Sequence, residues 1–169
     1  MVFSIEILNR IYRFHKTLSK AKLFITAFGV LYFITTLISV IGNFIQEDAY
    51  QIEALEGKSL ILVFFLLVVV APVVETFIFQ YGIIELCLLV RSKYNKQIAL
   101  FVSALLFGLS HSYNIIYIVF ATIMGVSLAF YYLCFRKYET KYAILAVMIL
   151  HALLNGITFF FNYVLEIEI

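Results

Sequence analysis

The chain has 169 residues, of which 64% are hydrophobic and 13% charged, with net charge +2 and mean hydropathy +1.06. A soluble domain of this length is nearer half apolar and has too small an interior to hide the excess. A water-soluble globule is therefore excluded and no nucleic-acid partner is expected; membrane lipid is the solvent that fits.

Residues 1–22 carry Phe3, Ile7, Ile11, Phe14 and Leu18 at helical spacing among Arg10, Arg13, Lys16, Lys20 and Lys22. This pattern predicts an amphipathic helix, lying on the anionic inner leaflet or against a partner protein, with His15 on its solvated face. The apolar run that follows is too long, and lacks the small-residue site, for a cleavable signal peptide. Residues 23–45 form a first expected span. Residues 60–90 are apolar for about 46 Å of helix, more than one crossing requires. Pro72 within them predicts a tilted helix, kinked or broken there. Residues 98–111, 115–135 and 142–163 complete an expected all-α bundle of about five spans.

Charge placement orients it. Arg91, Lys93 and Lys96 follow the second span, and Arg136, Lys137 and Lys141 the fourth, while Glu47, Asp48, Glu53 and Glu56 fill the first outer loop and Glu166 and Glu168 the tail. The positive-inside rule then puts the N-terminus in the cytoplasm, with Tyr94, Tyr131, Tyr132, Tyr138 and Tyr142 at the inner interface. Cys87 and Cys134 sit in apolar runs and read as packing residues. The expected organisation is an amphipathic segment 1–22, a first span with its outer loop 23–58, and a membrane core 59–165.

Polar groups deep in lipid are costly and mark function. At the helical rise, Glu75 lies about 22 Å from the inner boundary, His111 about 21 Å, His151 about 15 Å and Asn155 about 21 Å. Three helices thus carry a carboxylate, two imidazoles and an amide to similar depth. His151 and Asn155 share a face by their four-residue spacing. The bland alternative for each imidazole is a packing residue bonded to a neighbouring carbonyl. Glu85 lies nearer the inner boundary and reaches toward the basic loop. Ser110 is expected on a different face from His111, and no serine nucleophile motif is present. Small residues recur every four positions at Ala104 and Gly108, at Ala121, Gly125 and Ala129, and at Ala152 and Gly156, as close helix packing requires.

The segment Pro72-Val-Val-Glu75-Thr76-Phe-Ile-Phe79-Gln80 resembles the first motif of the CPBP family, the CAAX-protease and bacteriocin-processing (Abi) intramembrane proteases. That motif reads Pro, two residues, Glu-Glu, two residues, Phe-Arg. Phe107-Gly-Leu-Ser-His111 is similar to the second, Phe-x-x-x-His, and His151-Ala-Leu-Leu-Asn155 to the third, His-x-x-x-Asn; the likeness covers roughly residues 60–160. The resemblance implies a helical membrane endopeptidase, in the bacterial inner membrane for a bacterial source, that cleaves a membrane-associated protein or peptide. It gives Glu75 the place of the catalytic glutamate, and His111, His151 and Asn155 those of the other site residues. Thr76 stands where the family has a second Glu, and Gln80 where it has Arg. Losing both charges together reads as a swap to a neutral hydrogen-bonding pair, because losing one alone strands a buried charge at roughly 3–5 kcal/mol.

A carboxyl away from water suits proton shuttling, so Glu75 is the expected base. No cofactor is certain. One divalent cation such as zinc on His111 and His151 is one route; oxyanion donors from His151 and Asn155 are the metal-free route. Two other functions stay open: a catalytically inactive family member acting as a membrane binding or bacteriocin self-immunity protein, and a proton-coupled transporter.

Overall fold

The structure is a computed structural model and describes residues 2–46, 52 and 55–165. Glu47, Asp48, Glu53, Glu166, Glu168 and the side chains of Phe3 and Ile7 lie outside the described part. The described residues form six helices and no strand: α1 (Val2–Thr17), α2 (Lys20–Ile45), α3 (Leu60–Leu88), α4 (Asn95–Leu109), α5 (Ile115–Phe135) and α6 (Thr140–Val164). Four of them, α2, α3, α5 and α6, are long and apolar enough to cross a membrane, and α4 is a shorter apolar helix of 15 residues. The chain is thus a helical membrane bundle.

α2 starts where Ser19 caps it, its hydroxyl accepting from the Lys22 amide at 3.5 Å, which satisfies one of the orphan donors at a helix start. Leu23, Ala27 and Leu31 are fully buried on one face, while Phe33 and Phe44 are 66% and 92% exposed on the others. In hydrocarbon such an outer face costs nothing, so one narrow stripe suffices to attach the helix.

α3 is neither broken nor purely α-helical. It winds as α over Leu60–Phe64, π over Phe65–Val70, α over Ala71–Glu75, π over Thr76–Ile83 and α again over Ile84–Leu88. Wide turns on both sides of Pro72 take up the misfit that a proline ring makes with the preceding turn. The expected break is replaced by a change of winding.

α4 and α5 pack as a hairpin. A Cβ on Gly108 would overlap the Thr122 hydroxyl, and one on Gly125 would lie 3.0 Å from Ala104 Cα. Small residues at these positions let the two backbones meet. α4 ends at Leu109, so His111 sits in the turn beyond the helix rather than within a span as expected.

The basic ends of the helices gather at one end of the bundle. Lys137 Nζ donates to the carbonyls of Lys16 and Leu18 at 2.7 Å each, and the Tyr138 hydroxyl to Leu18 at 2.6 Å. Glu85 takes a two-pronged contact from Arg136 at 2.6 and 2.8 Å and a hydrogen bond from the Tyr132 hydroxyl at 2.8 Å. Glu85 therefore reaches a basic loop, that following α5. Two expectations are corrected here. His15 is not solvated: it is buried edge-on against Phe130 and Tyr131, because α1 packs on α5. Tyr131 and Tyr132 are buried within the bundle rather than placed at its interface, since the end of α5 is covered on all sides, residues 131–135 all being buried.

Candidate active site

Glu75 ends the short α-helical stretch of α3 that Pro72 opens, between the two π segments. Its two carboxylate oxygens face different imidazoles. His111 Nε2 lies 3.6 Å from Oε1, and His151 Nε2 lies 3.7 Å from Oε2. The carboxylate is 20% exposed, His111 16% and His151 8%, so the three groups meet at the bottom of a recess with little access. That recess is a cavity of about 160 Å³, and Asn155, Tyr113 and Tyr117 line it with them.

The turn after α4 orients His111. Its Nδ1 lies 2.7 Å from the Phe107 carbonyl one helical turn back. Donation there leaves Nε2 as the lone-pair nitrogen of the neutral ring, turned toward Glu75. Tyr117 stacks on the same ring at 5.8 Å with 10° between planes, and Phe107 packs on both imidazoles at 4.6 and 5.8 Å. Tyr113 lies in the turn, where burial and the charge of Glu75 push its phenol above the ordinary value. Ser110 does not face away as expected. Its hydroxyl lies 3.2 Å from His111 Nδ1, but it donates to the Phe107 carbonyl at 2.7 Å; the turn at the helix end brings it round.

Asn155 is held by the unusual winding of α3. Its Nδ2 donates to the Leu67 carbonyl at 2.9 Å. In the first π segment the Ala71 amide reaches back five residues to Leu66, and in that register Leu67 would be served by residue 72. Residue 72 is proline and has no N–H. Asn155 therefore supplies the donor that Pro72 lacks, and one of its two amide protons stays uncommitted to that bond.

Thr76 and Gln80 are fully buried and line no part of the cavity. The Thr76 hydroxyl and both polar atoms of the Gln80 amide have no hydrogen-bond partner among the described residues. The expected neutral pair is not formed. Both lie in the second π segment.

Among the described residues no group of three His, Cys, Asp or Glu side chains is placed to hold a metal ion, and each imidazole addresses its own carboxylate oxygen. Phe107, quoted above within the Phe-x-x-x-His motif but given no role, completes the site with Tyr113 and Tyr117, which were not singled out from sequence.

A family model described as type II CAAX prenyl endopeptidase Rce1-like matches residues 57–157. No curated protein and no solved structure matches the chain.

Proposed function

The chain belongs to the Rce1-like, type II CAAX prenyl endopeptidase family of membrane proteases, which is the CPBP family, and from that membership we propose that it is an intramembrane endopeptidase whose base is Glu75. Its substrate is a membrane-associated protein or peptide, and the core that works on it comprises residues 59–165, with 1–22 and 23–58 as amphipathic segment and first span. For a bacterial source the location is the inner membrane. The observation that carries this reading is one carboxylate flanked by two imidazoles, all three lining one cavity.

The chemistry follows from the donors and acceptors. A water between Glu75 and the lone-pair nitrogen of His111 gives one proton to the carboxylate while its oxygen attacks the peptide carbonyl carbon. The carbonyl oxygen becomes negative and takes hydrogen bonds from His151 and from the second Asn155 amide proton. The C–N bond then breaks as Glu75 passes its proton to the leaving nitrogen. A carboxyl that is poorly hydrated suits both directions of transfer. No step is assigned to a metal.

Thr76 and Gln80 favour a second reading. They depart from the family motif at two charged positions, which is what a family member retained for binding or bacteriocin self-immunity would tolerate. One experiment separates the readings: a comparison of protein termini in host membranes carrying wild type or Glu75→Gln at equal abundance. The peptidase reading expects new termini near membrane segments with wild type alone. Identical terminal profiles, with a wild-type phenotype retained by the mutant, would overturn it in favour of the binding protein.

A further inference from the structure

At the basic end of the bundle, a cleft of about 280 Å³ opens between α1, the end of α3, the start of α4 and the end of α5. None of its lining residues takes part in the cavity over Glu75. Lys16, Lys96, Arg136 and Lys137 line it, and no acidic side chain does among the described residues. Of these cations, Glu85 pairs with Arg136. The Lys16 and Lys96 ammoniums stand 5.3 and 5.0 Å from the centre of one ring, Tyr12. Lys137 spends two donors on the Lys16 and Leu18 carbonyls and has a third.

Lys16, Lys96 and Lys137 around one cleft that no described acidic side chain lines attract an anion. Their compact point charges, each with several donors, suit a phosphate. Leu88 lines the cleft, and Leu89, the residue that follows it at the end of α3, is 77% exposed, where an acyl chain would run. A cationic recess opening beside an apolar, lipid-facing surface has the form of a headgroup site. We propose that this cleft binds a phosphate group, carried by the headgroup of an anionic phospholipid.

The test is native mass spectrometry of the full chain in neutral detergent with equal phosphatidylglycerol and phosphatidylcholine. Wild type should retain one phosphatidylglycerol in preference to phosphatidylcholine. Lys16→Gln with Lys96→Gln should weaken that retention roughly tenfold or more, as removal of two close cations predicts. Arg10→Gln with Arg13→Gln removes the same charge from exposed positions of α1 outside the cleft and should weaken it far less. Equal loss in the two double variants overturns the proposal, because diffuse attraction would then account for binding; so does equal retention of the two lipids by wild type. Displacement of the lipid by millimolar inorganic phosphate would support the phosphate site but assign it to a soluble source. An unchanged melting temperature in each variant certifies the fold behind either result.

Discussion

Asn155 has two amide protons and two tasks. One proton goes to the Leu67 carbonyl; the proposed mechanism gives the other to the oxyanion. Asn155→Ala should therefore lower thermal stability by about 1–3 kcal/mol, the cost of a buried carbonyl left unsatisfied. It should also lower turnover by roughly 10²–10³-fold, and comparing melting with cleavage separates the two losses. At Thr76 the signs differ. Its hydroxyl is buried without a hydrogen-bond partner among the described residues, so Thr76→Val should leave the melting temperature unchanged or raise it. Gln80→Arg alone should cost roughly 3–5 kcal/mol by burying a lone charge, and adding Thr76→Glu should recover much of that. Failure of the double variant to recover would mean that the two sites do not pair.

The helices were legible from apolar runs, and their winding was not. The length of those runs located α2, α3, α5 and α6 to within a few residues, because a span must match lipid thickness. Nothing in that signal distinguishes four from five residues per hydrogen-bonded ring, so the π segments of α3 were hidden. The small-residue stripes read correctly where helices touch. Gly108→Val should destabilise the α4–α5 hairpin by about 1–3 kcal/mol or more, since the new side chain meets Thr122 and the Ile118 carbonyl. Gly29→Val, where a Cβ meets nothing within 4 Å, is the matched control, and thermal melting in detergent checks both.

Across the whole molecule, the family match covers 57–157, yet the N-terminal helix is fastened to that core. Lys137, Tyr138 and Tyr12 tie it to the end of α5 and the loop beyond. Lys137→Ala with Tyr138→Phe removes three of these hydrogen bonds, each worth about 1 kcal/mol. Amide exchange in residues 10–18 should then rise by at least roughly tenfold relative to α5. Unchanged exchange would mean that His15 and its aromatic neighbours hold α1 alone. That aromatic contact was missed from sequence because its partners, Phe130 and Tyr131, lie more than a hundred residues along the chain. The convergence of Glu75, His111 and His151 needed only depth counting, since a membrane confines helices to a common frame.

The stacking of Tyr117 on His111 also offers an optical handle. The chain contains no tryptophan, so Tyr117→Trp would install a single indole emitter face to face with an imidazole at the candidate site. A protonated imidazole quenches indole emission by accepting an electron, whereas the neutral ring does so weakly. The emission of that one residue, followed through a titration in detergent, would report the charge on His111 directly, without a substrate.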